Sequence, residues 1–367
     1  MTVESPKKEK KENKIDFKYN MKLYLGMLKN YKLIIAAFLI IIFVIEVTRV
    51  VNDFLFKAII DKGTEFAAKT IPATQYVQVL TVIAAVFAIN IVIKLFGKWF
   101  QIHLINRFEG SLILDLKRKF FEHLIHLSHS FHTSHKTGSL ISRLIRGGSA
   151  IERITDVFAF NVFPLFFQLL ITGASLLYFD KLSATIAVAT VVIFIVYSLI
   201  INNLQQSAMV ELNETEDTER GNISDIFTNI DAIKYFGKEK NIKDKFTGLI
   251  ESTRRAMIKN WDYYRYLDVG HSLILGVGTF FIIYFPMLRF LRGEIAPGTL
   301  IFIYTIFSNL FNHLFGFVHG MREYFRVMVD FQSLFEYNKI EQEVKDKPHA
   351  PVAYLKQGTI EFDNVTF

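Results

Sequence analysis

The sequence predicts an all-α membrane protein whose six transmembrane helices continue into long polar extensions on one side. Three observations carry that expectation. Six apolar runs each approach the roughly 20 residues needed to cross a bilayer. The composition is 51% hydrophobic and 15% aromatic, with 37 Phe, and mean hydropathy is positive at +0.29. The links between spans 2 and 3 and between spans 4 and 5 each exceed fifty residues, contain no proline and keep a helical period. A soluble chain of 367 residues would instead divide into two or three domains of ordinary composition.

The N-terminal stretch "MTVESPKKEKKENKIDFKYNMK" mixes Lys with Glu4, Glu9, Glu12 and Asp16. A cleaved signal peptide needs an apolar run close behind its charges, and a mitochondrial presequence is rich in Arg and poor in acids. Residues 1–20 therefore read as a solvated cytoplasmic tail. This favours a prokaryotic plasma (inner) membrane over an organelle.

The six spans begin at Leu33, Tyr76, Val157, Leu182, Ser272 and Thr299. An even number places both termini on one side. The short links 1–2, 3–4 and 5–6 carry few basic residues: Lys62, Lys69, Lys181, Arg289 and Arg292. The tail and the long links hold most of the rest, so the positive-inside rule puts both termini in the cytoplasm. The net charge of +7 is read the same way, as orientation and not as a nucleic-acid face.

The long links, 101–156 and 202–265, are predicted as helical hairpins. "LILDLKRKFFEHLIHL" sets Leu112, Leu114, Leu116, Phe120, Phe121, Leu124 and Leu127 on a broad apolar stripe. A helix of about 50 residues would reach roughly 75 Å, well past the membrane. The turns fall near "SFHTSHKTG" (130–138) and "KYFGKEKN" (234–241), each with a Gly stop. Pro164 is expected to kink the third span. At the end, "GTIEFDNVTF" (358–367) alternates as a first strand with no second strand to pair with.

Taken with that architecture, several stretches resemble the transmembrane domain of a type IV ABC exporter. "SFHTSHKTGSLISRLIRGG" is similar to the family's first intracellular hairpin. "FNVFPLFFQ" and "RGNISDIFTNIDAIKYFGKEK" resemble the mitochondrial and bacterial exporters linked to glutathione and iron–sulfur precursors. The latter carries the subfamily's pattern at Asn229, Ala232, Lys234, Tyr235 and Phe236. "MREYFRVMVDFQSLFE" resembles the end of the sixth helix. The resemblance covers about residues 20–367.

It implies a transmembrane domain over 21–340 and, over 341–367, a linker and the first strand of a nucleotide-binding domain that lies beyond this chain. It also implies a domain-swapped dimer with a second transmembrane half, identical or related, and ATPase domains that use ATP and Mg in the full-length protein. No cofactor is expected in this chain, and no ATPase activity, because no G-x-x-x-x-G-K-[ST] loop occurs. Gly147 and Gly148 form a Gly pair without the Lys.

The hairpin tips are expected to dock in grooves of the ATPase domains: Ser130, Phe131 and His132 at the first, and Ile233, Lys234, Tyr235, Phe236, Gly237 and Lys238 at the second. The plainer reading of each is a solvated turn. For substrate, the resemblance points to arginines near the inner border, which in the glutathione-linked exporters hold carboxylates. Arg146 falls on that pattern, Arg143 is displaced by one residue, and Arg322 matches through its Arg-Glu pair. Arg binds carboxylates through bidentate, charge-assisted bonds. The competing role is an ion pair with Glu152, Glu323 or lipid phosphate.

The fifth span opens with "YLDVGHSL", where the related exporters have two amides. Asp268 and His271 stand there instead, and His319 adds a polar group on the sixth span. An Asp disfavours a carboxylate ligand, which opens the way to a cationic or zwitterionic substrate. Asn309, Asn312, His313, Asn161 and Gln168 are polar span residues whose default role is interhelical hydrogen bonding. Glu46 and Arg49 are spaced to pair with each other.

His123, His126, His129, His132 and His135 recur every three residues. A step of three drifts around a helix, so five such histidines cannot face one ion, and no metal site is expected. The absence of Cys excludes disulfides, thiolate metal sites and thiol catalysis. The sequence thus supports the translocating half of an ATP-driven exporter acting on a small amphiphilic or peptide-like molecule, with glutathione-like or metal-linked thiol compounds favoured. Membrane lipid is its surroundings, and nucleic acid is not a partner. A lipid or multidrug exporter is the alternative within the family. An ATPase-independent channel or receptor, or a metal-using membrane enzyme, is the alternative outside it.

Overall fold

The structure is a computed structural model that describes residues 15–134, 137–341, 358 and 363–366. The N-terminal charges, His135, the linker from 342 and most of the expected strand at 358–367 lie outside the described residues. The described chain is helical nearly throughout, in ten α-helices. They are α1 (Phe17–Leu28), α2 (Lys32–Ala67), α3 (Ala73–Ile125), α4 (His129–Ser134), α5 (Thr137–Asp156), α6 (Phe163–Phe179), α7 (Lys181–Thr228), α8 (Ile230–Tyr235), α9 (Glu239–Leu291) and α10 (Pro297–Phe335). Six helical stretches are long and apolar enough to cross a membrane, as predicted.

The long links are continuous with the spans. The second span and its extension are one helix of 53 residues, and the fifth is another of 53. Nothing in the links breaks them, because they lack proline and keep their apolar stripe. The second hairpin turns at Gly237, with φ +57° after α8, and α9 ends before Gly293, with φ +76°. In the first, α3 ends before 126–128, which hold no glycine, and Gly138, the expected stop, lies within α5.

The third span departs from a simple kink. Val157–Val162 forms a π-helical turn, and the Phe163 N–H donates to the Phe158 carbonyl five residues back. Pro164, buried at the start of α6, explains it. Its nitrogen has no proton, and its ring would press on the carbonyl four residues earlier. Widening the turn by one residue relieves both conflicts.

The chain divides into two compact units. One draws on residues up to 31, 108–154 and those from 325; the other comprises Lys32–Arg107 and Thr155–Tyr324. In the first, α1 begins at Phe17, inside the segment expected to be tail. Asp16 caps it by accepting from the Tyr19 N–H at 2.9 Å. Asn20, fully buried, donates to Gln332 Oε1 at 2.9 Å and to the Met328 carbonyl at 3.3 Å. Phe120 and Phe331 both stack on Phe335, and Gly147 lets the Leu334 side chain press on the α5 backbone.

In the second unit, α7 and α9 run antiparallel and are laced along their length. Tyr197 Oη donates to the Tyr266 carbonyl at 2.6 Å, Gln205 Nε2 donates to Asn260 Oδ1 at 3.0 Å, and Lys259 pairs with Glu211 at 2.6 Å. Gly278 makes the close approach possible, since a Cβ there would lie 2.6 Å from Thr190 Cγ2. The apolar core of this unit gathers Phe194, Phe302, Ile303, Ile306, Phe307 and Leu310.

Candidate functional site

The sequence-predicted arginines sit on α5 in the first unit. Arg143 donates to the Ser333 carbonyl at 3.1 Å, and its guanidinium lies 5.0 Å from the Tyr337 ring centroid. Arg146 is exposed, donates to Ser142 Oγ at 2.9 Å and approaches Asp330 at 3.7 Å. The tighter Asp330 partner is Arg153, at 2.5 Å. For Arg146, Asp330 is an acidic neighbour beside the expected alternatives of Glu152, Glu323 or lipid phosphate. Of the two arginines, Arg146 keeps its head group more open to a ligand.

In the second unit, Asp268 and His319 are exposed, and Arg322 is half-buried with its guanidinium 4.3 Å from the Tyr264 ring centroid. His271 differs. It is only 1% exposed, stacks on Phe194 at 3.9 Å between centroids, and its Nε2 lies 2.8 Å from Ser198 Oγ. Phe315 and Tyr197 complete the surround. In these contacts His271 packs α9 against α7 and α10, with Nε2 held by Ser198. Asp268 and His271 are i, i+3 neighbours on α9, but packing by α7 and α10 covers only His271 and leaves Asp268 exposed.

The hairpin tips also differ from each other. Tyr235 and Phe236 are 87% and 76% exposed, with Lys234, Gly237 and Lys238 exposed around them and Ile233 half-buried. Phe131 at the first tip is 6% exposed, buried with Leu124, Leu127, Leu140 and Tyr337, and its ring meets Tyr337 edge-on at 5.6 Å. Phe131 is therefore a core residue of its own unit and not an outward knob. Ser130 and His132 remain exposed. Of the histidine series, His123 lies 3.0 Å from the Tyr337 carbonyl, and His126 lies 2.7 Å from the Glu122 carbonyl. Among the described residues, no three His, Asp or Glu side chains are grouped to hold a metal ion.

One constellation was not assembled by sequence reasoning. Glu46, Arg49 and Asp53 on α2 face Asn309 and His313 on α10. Glu46, 3% exposed, pairs with Arg49 at 3.0 Å, as its spacing predicts, and also lies 3.4 Å from His313 Nε2. Arg49 touches the same His313 nitrogen. Asn309 Nδ2 donates to Asp53 Oδ2 at 2.7 Å. Toward the end of α2, Asp61 accepts from the Gly298 N–H at 2.7 Å and pairs with Lys57 at 2.7 Å. The signal was present: polar residues at i, i+3 and i+7 in the first span and at i, i+4 in the sixth. Periodicity marks each stripe but does not say which helices meet.

Residues 34–314 match the ABC transporter transmembrane region. The chain belongs to that family. Among curated relatives, the human "Iron-sulfur clusters transporter ABCB7, mitochondrial" is 24% identical over 326 residues, which is 87% of this chain and 43% of that protein. "Iron-sulfur clusters transporter ATM1, mitochondrial" of Yarrowia lipolytica is 25% identical over 257 residues, covering 70% of this chain and 36% of that protein. "Heavy metal tolerance factor 1" of Caenorhabditis elegans is 26% identical over 262 residues, covering 69% of this chain and 32% of its own length. The chain thus spans less than half the length of these relatives. Among solved structures, "Structure of a bacterial Atm1-family ABC exporter with ATP bound" superposes with a TM-score of 0.70 at 18% identity, over 89% of this chain and 56% of that one. That likeness establishes the ABC exporter transmembrane fold, with iron–sulfur cluster transporters among the relatives.

Proposed function

We propose that this chain is the substrate-translocating half of an ATP-driven exporter that works by alternating access. It pairs with a second transmembrane half, and ATPase domains binding ATP and Mg drive it. The observation that carries the reading is the second hairpin tip. Two antiparallel helices of 48 and 53 residues end in an exposed aromatic pair, Tyr235 and Phe236, ringed by Lys234 and Lys238. Large exposed aromatics with charges around them are the residues expected of a docking knob. A rigid helical pair transmits a push at its tip into the membrane without bending.

The cargo we favour is a glutathione-like or metal-linked thiol compound. Arg146, Arg143 and Arg322 are its candidate carboxylate contacts, with Asp268 and His319 as further polar groups. The names of the relatives support this class, and a prokaryotic plasma membrane with both termini cytoplasmic is the setting proposed from the charge pattern. Exposed Asp268 favours a second reading, export of amphiphilic cations or lipids. The test is ATPase activity of the full-length protein in lipid. Oxidised glutathione should stimulate it, and Arg146→Ala should raise the half-saturating concentration about tenfold through loss of a charge-assisted contact. Stimulation by amphiphilic cations alone would overturn the thiol-compound reading.

A further inference from the structure

The polar layers between α2 and α10 are unequal in charge. At the level of Glu46, the carboxylate has Arg49 at 3.0 Å and His313 at 3.4 Å, and Lys98 of α3 acts on it electrostatically. At the level of Asp61, Lys57 lies at 2.7 Å. Between them, Asp53 is hydrogen-bonded by a neutral amide and acted on by Arg49 through space, without a direct ion pair. Asn309 donates to its Oδ2 at 2.7 Å, its Oδ1 accepts no hydrogen bond, and no cation lies within 4 Å of it among the described residues. Of the two basic groups four residues away on its own helix, Arg49 is engaged by Glu46 and His313, and Lys57 by Asp61.

Asp53 is half-buried on a helix apolar enough to cross a membrane. A carboxylate there is costly unless a positive charge meets it. Seven residues on α2 separate it from Glu46 and eight from Asp61, so it lies about 10 to 12 Å along the helix from either layer. The cations nearest to it on α2, Arg49 and Lys57, each one turn away, are paired with those other carboxylates, Glu46 and Asp61. Asn309 orients one oxygen and leaves the other open.

We infer that Asp53 and Asn309 form a subsite for an ammonium group of the transported molecule. The carboxylate accepts a charge-assisted hydrogen bond from the ammonium at Oδ1, while Asn309 holds Oδ2. The inference extends the exporter reading, on which it rests: the cargo carries a positive group, and α2 and α10 read it, separately from the arginines of α5.

The test uses the full-length protein in lipid nanodiscs and two fluorescent probes, monodansylcadaverine and its N-acetyl derivative, which lacks the charge. Empty nanodiscs correct for lipid partitioning. The amine should bind about tenfold more tightly than the acetylated probe. Asp53→Asn, which keeps shape and the Asn309 contact, should abolish the difference. Asn309→Lys, which supplies an internal ammonium to Asp53, should do the same while keeping the layer charge-balanced. No preference for the amine in the native protein, or a preference that survives both substitutions, overturns the subsite. Stimulation by oxidised glutathione is read separately, so failure of the thiol-compound reading and failure of this subsite give different results.

Discussion

Asp180 shows how much one side chain can fix in this chain. Its carboxylate is almost wholly buried and caps α7 by accepting from the Ser183 N–H at 3.2 Å and the Ser183 hydroxyl at 2.5 Å. It also binds Arg289 at 2.6 Å, which ties the link between spans 3 and 4 to the end of α9. Removing an N-cap costs about 1 kcal/mol, and losing a charge-assisted bond costs roughly 1.5–3 kcal/mol. Arg289 keeps Glu294 at 2.8 Å, which limits the loss. Asp180→Ala should therefore destabilise the protein by about 2–4 kcal/mol. Thermal denaturation in detergent, followed by tryptophan fluorescence, would register it as a lower midpoint. An unchanged midpoint would mean the cap and the ion pair contribute nothing net. His271 teaches the complementary lesson. Its place in the sequence marks it as a ligand candidate, but Phe194 and Ser198 of α7 and Phe315 of α10 close over it.

Among the elements, the two hairpins differ in what their tips offer. The α7–α8–α9 tip exposes Tyr235 and Phe236, whereas Phe131 at the other tip is buried against Tyr337. Exposed side chains stabilise their own fold little, and substitutions at such positions usually change stability by less than about 0.5 kcal/mol. The double substitution Tyr235→Ala with Phe236→Ala should leave the melting midpoint where it is. In the full-length protein it should cut substrate-stimulated ATPase activity severalfold, because the knob would be gone. Phe131→Ala should behave in the opposite order, lowering stability by about 3–5 kcal/mol as a large aromatic leaves a packed cluster. Equal effects of the two variants on stability would contradict this assignment. The π turn before α6 belongs to the same scale: proline foretold a distortion, but its form depended on where the displaced carbonyls found donors.

For the whole molecule, the helices are unequally covered. Only 6% of the apolar window of α3 is buried within the chain, against 39% for α10. Apolar surface of that kind is satisfied by lipid or by another protein surface, and the proposed second transmembrane half would cover part of it. Native mass spectrometry of the full-length protein from nanodiscs should give a two-copy mass, or this chain with one related partner. A single-copy mass across the micromolar range would remove the dimer from the proposal.

The sequence by itself determined the six spans, the helical long links and the family. Each rests on information that is local or additive: hydropathy over about 20 residues, a 3.6-residue period, an absence of proline, and short motifs. Pairing of Glu46 with Arg49 was legible for the same reason, since i, i+3 neighbours meet on any helix. Only the tertiary structure decided which stripes face each other. It joined Asp53 to Asn309 across 256 residues of chain, set His313 against Glu46, and buried Phe131 and His271. Periodicity fixes the face on which a residue stands, but the partner helix, and so whether that face meets protein, ligand or lipid, follows from packing between segments far apart in sequence.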